Sequence, residues 1–291
     1  MHYIIANETR LKGKGRKILE AVKSVFDRAE IAYKVLLTHV QGDAKKIAEE
    51  VTADGNENTL VAMGGDGTLH DIINGFKDFE KCSLGLVPIG TGNDFASCAK
   101  IPTNAVKAAE LIAYGKPRHI DFIELSSGLR SINSVGMGID VDVLKRTYSG
   151  NKHGKGKYLR SLISSLIHFK SCNFTVRYDD KEEKHYGLIA ACGNGKFLGG
   201  GINLFPEAKI DDGFLDLIIV DYISKPKIIS AFVKLMRGKV AKVKNVTFVK
   251  TKAATFIHED ENYTIQAEGE LYDNVPLEAK IVENKLKFYL P

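Results

Sequence analysis

The rhythm of apolar and polar positions changes about two-fifths of the way along the chain. Up to residue 120, short apolar runs alternate with stretches of helical periodicity. HYIIAN, AYKVLLTH, NTLVAMGG and CSLGLVPIG read as strands. Between them, GRKILEAVKSVFDRAEI carries Ile18, Val22, Val25 and Phe26 as one stripe, and GDAKKIAEEVTADG reads as a second helix. TLHDIINGF places Leu69, Ile72, Ile73 and Phe76 on one side, and a further helix begins near NDFASCAK. Spacings of three and four mark a helix face, whereas short continuous apolar runs mark buried strands. Strands alternating with helices at these lengths predict parallel strands joined by crossover helices.

After about Asp121 the pattern is different. GLRSINSVGMGIDVDVL, NFTVRYDD, EKHYGLIAACGNG, FLDLIIVDYI, VKNVTFVKTKAATFIHED and NYTIQAEGELY all read as strands, which predicts a mostly antiparallel β region. Two helices interrupt it. YLRSLISSLIHF places Leu159, Leu162, Ile163, Leu166 and Ile167 on one face, and PKIISAFVKLMRG runs from Pro226 to Gly238. The expected class is therefore α/β with two domains: a parallel-sheet α/β domain over residues 1–121 and a β-rich, sandwich-like domain over 122–279.

Composition narrows the partners. A chain of 291 residues with 44% hydrophobic and 26% charged residues is ordinary for a globular protein, and it can build a full core. A net charge of +5 is too small to argue for nucleic acid, but it suits anionic phosphates or an anionic membrane surface. Cys82, Cys98, Cys172 and Cys192 are scattered without a C-x-x-C pair, so free thiols in a reducing cytoplasm are expected rather than disulfides or zinc. No signal peptide is read at the N-terminus, and no window approaches the ~18 apolar residues a spanning helix needs. The protein is expected to be soluble, or to lie on a membrane without crossing it.

The candidate chemistry sits in two glycine-rich turns. Gly64-Gly65-Asp66-Gly67-Thr68 follows one predicted parallel strand, and Gly90-Thr91-Gly92-Asn93-Asp94 follows another. Loops at the carboxyl ends of parallel strands gather on one sheet edge, where ligands bind. Each loop leads into a helix start, whose N–H groups and dipole favour an anion, and glycines allow backbone to approach phosphate oxygens. Thr68, Thr91 and Asn93 add hydroxyl or amide contacts. A bare carboxylate beside polyphosphate is repulsive, but magnesium reverses the sign, so Asp66 and Asp94 point to a magnesium–nucleotide triphosphate. The alternative is that Asp94 caps its helix and Asp66 stabilises a tight turn. Neither G-x-x-x-x-G-K-[ST] nor G-x-G-x-x-G occurs in these loops.

GGDGTLHDIINGF followed by LGLVPIGTGNDFA resembles the catalytic domain of the diacylglycerol kinase and sphingosine kinase superfamily, and more narrowly its bacterial lipid kinases. NLFPEAKIDDGFLDLIIV and IQAEGELY resemble later motifs of the same family, in the expected order. The resemblance implies an NAD kinase-like first domain, a β-rich second domain, ATP in the cleft between them, and a C-terminal segment from about residue 280 that returns to the first domain. It implies that Asn7, Thr38, Gly64, Gly65, Asp66, Gly67, Thr68 and Thr91 hold ATP. By the same resemblance Asp66, Asp94 and Asp121 organise magnesium through waters, and a second, structural magnesium sits on Asp212 with the carbonyls of Lys209 and Phe214. For the second magnesium, a solvated Asp-Asp-Gly turn is the alternative.

The chain departs from the family pattern twice. The family's Asn-Pro-x-Ser/Ala-Gly loop is replaced by ANETRLKGKG, which keeps Asn7 but leaves Gly13 or Gly15 to supply flexibility. The family's general base is the aspartate of Asp-Gly-Glu, and here that position is Glu268, followed by Gly269 and Glu270. Glu268 acting as base, Glu270 taking that role, and a weak or silent kinase all stay open. Basic stretches at 151–160 and 225–244 next to apolar helices suit peripheral contact with anionic headgroups at the inner membrane face, with solvated helix faces as the alternative. The expected activity is ATP- and magnesium-dependent phosphoryl transfer to a lipid hydroxyl, with diacylglycerol or a related lipid as acceptor. The rivals are an NAD kinase-like enzyme and a silent nucleotide- and lipid-binding module. Nucleic acid is not an expected partner, and pairing of exposed strand edges in a homodimer is an open expectation.

Overall fold

A computed structural model describes residues 1–149, 155–236 and 243–291, and two compact units divide it: Met1–Asp121 with Asn284–Pro291, and Phe122–Glu283. In the first unit the apolar runs become strands β1 (His2–Asn7), β2 (Tyr33–Thr38), β3 (Thr59–Gly64) and β4 (Ser83–Pro88). A short 3-10 turn over Glu8–Leu11 precedes α1 (Lys14–Arg28). The other helices are α2 (Asp43–Thr52), α3 (Asp66–Gly75), α4 (Asp94–Cys98) and α5 (Ala105–Tyr114). The strands are parallel in the order β2-β1-β3-β4. Every residue of β3 and β4 is buried, which explains their unbroken apolar character.

Register aligns the strand ends. Asn7 lies beside Thr38, Ala6 beside Met63, and Gly64 beside Pro88, so the segments that follow them leave the sheet along one edge. The chain leaves the unit along β5 (Pro117–Leu125), of which residues 117–121 belong here. It re-enters along the end of β17 (Leu277–Tyr289), where Lys287 and Phe288 pair in parallel with Ser83 and Leu84. Phe288 packs edge-on against Phe95 with ring centroids 5.1 Å apart.

The second unit contains β6 (Arg130–Ser131), β7 (Ser134–Gly138), α6 (Ile139–Tyr148), α7 (Lys155–His168), β8 (Cys172–Tyr178) and β9 (Lys181–Gly193). It continues through β10 (Phe197–Leu198), β11 (Ile202–Asn203), β12 (Leu215–Asp221), α8 (Lys225–Met236), β13 (Val246–Thr251), β14 (Ala253–His258), β15 (Thr264–Ala267) and β16 (Glu270–Asp273) before β17. The long strand β9 changes partners at Gly187. Before it, β9 pairs with β8; from there on it pairs with β7 on one side and β12 on the other. A Cβ on Gly187 would stand 2.6 Å from the Val220 carbonyl oxygen, beside the register shift at Val220–Asp221. Alternate residues of β12 serve two cores: Leu215, Leu217 and Ile219 face the β core, and Ile218 faces the layer of α6, α7 and α8.

The expected reading of GLRSINSVGMGIDVDVL as strand needs correction. Only Arg130–Ser131 and Ser134–Gly138 are extended, and Ile139 begins a helix. The alternation in IDVDVL mimics a strand, but Asp140 and Asp142 occupy the first helical turn and Lys145 and Arg146 the last, complementing the helix dipole. Asp142 also pairs with Arg146 one turn on, at 2.6 Å. VKNVTFVKTKAATFIHED is two strands, β13 and β14, rather than one. Helix α5 had no counterpart in the sequence reading. The expected helix end at Gly238 lies outside the described residues.

Candidate functional site

At the carboxyl edge of the first unit, the two glycine turns touch each other. A Cβ on Gly90 would lie 2.6 Å from the Gly65 Cα, and one on Gly65 would lie 3.1 Å from the Gly90 Cα. A Cβ on Gly64 would meet the Thr68 hydroxyl at 2.2 Å. None of the three has a positive φ, so glycine is required here by proximity and not by torsion. The N–H groups of Ile89 and Gly90 donate to the Gly64 carbonyl at 2.9 and 3.2 Å. Asn93, in the left-handed region, donates its amide to the Gly90 carbonyl at 2.9 Å and precedes α4.

Asp66 joins the two turns. It opens α3, and its carboxylate accepts from the N–H groups of Asp94 and Phe95, at 3.1 and 3.2 Å, at the start of α4. The start of α4 is thus capped from the other loop, by Asp66, and not by Asp94. Carboxylate oxygens offer about four lone-pair sites, so these two bonds do not exhaust it as a ligand. Asp94 is buried, Gly67 and Thr91 are exposed, and Thr68 is half-buried. Thr38 is buried at the end of β2. Asn7 caps the turn after β1 by accepting from Thr9 N–H at 3.0 Å, a local use of the retained asparagine. Asp121 is fully buried and accepts from Asn284 N–H at 2.7 Å, which ties the departing strand to the returning one. His70 lies behind the first loop, where burial first and Lys45 second lower its pKa to about 4, so it is a neutral core imidazole.

In the second unit, Glu268 and Gly269 are the two loop residues of the β15–β16 hairpin, with φ of 53° and 83°. Positive φ at both positions is the requirement of a type I′ turn, which favours Asn-Gly or Asp-Gly. A glutamate held there is strained. Its Oε1 accepts from the Ser131 hydroxyl at 2.5 Å and from Asn133 N–H at 2.6 Å, which fixes the carboxylate's direction. Tyr148 donates to the Gly269 carbonyl at 2.6 Å, and Gly269 N–H donates to Gln266 at 3.1 Å. Glu270 begins β16, half-buried. Elsewhere in this unit Asp212 accepts from Phe214 N–H at 3.2 Å and from the Lys250 ammonium at 2.9 Å. Lys209 and Phe214 are exposed.

A cavity of about 110 Å³ lies between β9, β12 and the helices α6, α7 and α8, lined by side chains such as Val143, Leu162, Ile189, Val220 and Phe232. Among the described residues its one carboxyl is Asp140, in the first turn of α6. Burial pushes this carboxyl up to about 7, against the opposing bonds from Val141 N–H and Gln266. Ile163 and Ile167 on α7 and Val233 on α8 are exposed.

The model of the diacylglycerol kinase catalytic domain matches residues 2–125, and that of the YegS C-terminal NAD kinase β sandwich-like domain matches residues 133–290. A Xanthomonas campestris protein named "Probable lipid kinase YegS-like" is 32% identical, the match spanning 96% of this chain and 94% of the relative. A diacylglycerol kinase of Staphylococcus saprophyticus is 28% identical over 94% of this chain and 90% of its own. The chain belongs to the YegS and diacylglycerol kinase family. It is accordingly a phosphotransferase of the lipid kinase type. The same two-domain fold appears in the crystal structure of a diacylglycerol kinase from Bacillus anthracis (TM-score 0.76, 22% identity, 100% of this chain and 96% of that one). It also appears, more distantly, in an NAD kinase from Archaeoglobus fulgidus in complex with ATP (TM-score 0.54, 13% identity, 99% and 93%).

Of the positions expected from family resemblance, the first unit gathers Asn7, Thr38, Gly64 to Thr68, Thr91 and Asp94 along one sheet edge. Asp121 stands where its strand leaves that unit, and Glu268 and Asp212 belong to separate turns of the second. Ser131, Asn133, Asp140 and Lys250 went unread. The first two act from positions more than 130 residues before Glu268, and no local pattern marks them. Asp140 does carry a local signal, an acidic residue at the start of an apolar-periodic stretch. Parts of both expected basic stretches, residues 151–154 and 237–242, lie outside the described residues. No described helix is long and apolar enough to cross a membrane.

Proposed function

We propose that this family member transfers the γ-phosphate of ATP to the hydroxyl of an acyl lipid, diacylglycerol or a close relative. The observation that carries the lipid reading is the apolar cavity of the second unit, with a single carboxyl among the hydrocarbon side chains of the described residues that line it. Such a lining suits an acyl chain and offers little to a dinucleotide, whose polar groups would lose their water without recovering bonds. Exposed Ile163, Ile167 and Val233 on the helices covering it suit peripheral contact with a bilayer.

The nucleotide reading rests on the loop pair. Helix α3 opens with N–H groups that have no partner within the helix, beside glycines that leave no side chain in the way. Among the described residues no three acidic, histidine or cysteine side chains are placed to hold an ion directly, so Asp66, Asp94 and Asp121 would hold magnesium through waters, and Asp66 keeps lone pairs beyond its two N–H bonds. Magnesium when bound supplies charge neutralisation to the phosphates. Gly65 and Gly90 set the spacing of the two loops, and Asp66 fixes the direction of α4. Glu268 takes the proton of the attacking hydroxyl, its carboxylate aimed by Ser131 and Asn133.

The test is incubation of purified protein with labelled ATP, magnesium and a total lipid extract, with the product identified by mass. A phosphorylated lipid is expected. Label appearing only in NADP when NAD is offered, with none in lipid, would replace this reading by the NAD kinase one.

A further inference from the structure

The segment after Ala208 is where family resemblance implies a structural divalent ion, and the side chains there do not fit one. The outer oxygen of Asp212 is taken by the Lys250 ammonium at 2.9 Å, while its other oxygen accepts from Phe214 N–H. The same ammonium donates to Asp216 Oδ2 at 2.9 Å and reaches the Glu207 carbonyl at 3.5 Å. An ammonium has three N–H bonds and no acceptor, so these three oxygens use its full capacity. Lys250 is held there by the ladder: Asp216 and Lys250 face one another across β12 and β13. A divalent ion on Asp212 would stand beside a fixed positive charge that repels it.

We infer that Lys250 is the built-in cation of this segment, holding the Lys209–Phe214 turn against β12 and β13 so that the turn takes no divalent ion. Side-chain chemistry does here what the resemblance assigns to a metal. The charge arrives with the fold, and its occupancy does not follow the magnesium concentration.

Melting curves on nucleotide-free protein test this without any turnover. Chelator-stripped wild type and Asp212→Asn are each melted with and without millimolar magnesium chloride. The expected result is that any magnesium shift is the same in both proteins. A magnesium-dependent rise in the wild-type Tm that Asp212→Asn abolishes would overturn the inference. In a second variant, Lys250→Met, the Asp212 and Asp216 carboxylates are left together without their cation. It is expected to melt roughly 5–10 °C lower in chelator, as loss of one partner of a partly buried ion pair predicts, and to recover part of that loss with magnesium. Lys250→Met melting with the wild type in chelator would equally overturn it. The wild-type and Asp212→Asn pair decides the matter even if Lys250→Met does not fold.

Discussion

The two units fix their polar residues by opposite means. In the first, glycine turns are held by crowding: Gly64, Gly65 and Gly90 have ordinary torsions, but a side chain on any of them would strike a neighbour. In the second, the Glu268–Gly269 turn is held by torsion: both residues have positive φ, and a Cβ on Gly269 would meet nothing within 4 Å. The carboxylates follow the same division. Asp66 is gripped by backbone N–H groups, whereas Glu268 is gripped partly by a side-chain hydroxyl, and Asp140 sits in apolar surroundings. The contrast teaches that one residue type, glycine, can be demanded by distance or by dihedral angle, and that sequence does not say which.

The largest effect is expected from Glu268→Gln, which keeps the shape and removes the proposed base. Lipid phosphorylation should fall about 10²–10⁴-fold while the Tm stays close to wild type, as followed by labelled-ATP turnover. Retained activity would leave the hairpin a merely structural turn. Next comes Asp140→Asn. Because burial raises the folded-state pKa of Asp140 to about 7 from 3.8, the folded protein binds this proton more tightly than the unfolded chain. The wild type therefore loses stability as pH rises from about 4 to 7 and loses no more above that. The asparagine variant should be more stable at pH 8 by at most about 4 kcal/mol, at ~1.4 kcal/mol per pKa unit, and the difference should vanish near pH 4. Urea melts at both pH values measure it.

Gly90→Ala tests crowding. Its Cβ would press on the Gly65 backbone, and a loop displaced by about an ångström should cost about 10² in kcat/KM. The unfolding free energy should fall only by the amount overpacking brings, about 1–3 kcal/mol. Gly269→Ala tests torsion, and the smallest effect is expected there: about 1–2 kcal/mol for forcing an alanine into the left-handed region, read as a lower urea midpoint, with kcat/KM nearly unchanged. If Gly269→Ala were the more damaging of the two to activity, the division between crowding and torsion would fail.

Much of the fold was readable because it rests on apolar periodicity. The buried runs of β3 and β4 and the stripe of α1 announce themselves locally. Helix α6 is harder to see, because IDVDVL alternates like a strand and only the charges at its ends and the joint burial of Ile139 and Val143, one turn apart, favour the helix. The glycine turns were visible as turns. Their mutual contact was not, since Gly65 and Gly90 meet only after the α3 crossover brings β3 and β4 into register. The Asp212 segment shows the same limit: its motif was legible, but its cation comes from Lys250, a residue 38 positions away and across a ladder.

The return of residues 284–291 to pair beside β4 has a consequence for biosynthesis. The N-terminal half emerges from the ribosome first, yet it cannot close until Lys287 and Phe288 have also cleared the exit tunnel. Until then the β4 edge and Phe95, the ring partner of Phe288, wait uncovered, and a nascent chain stalled before residue 284 should engage holding chaperones through that edge.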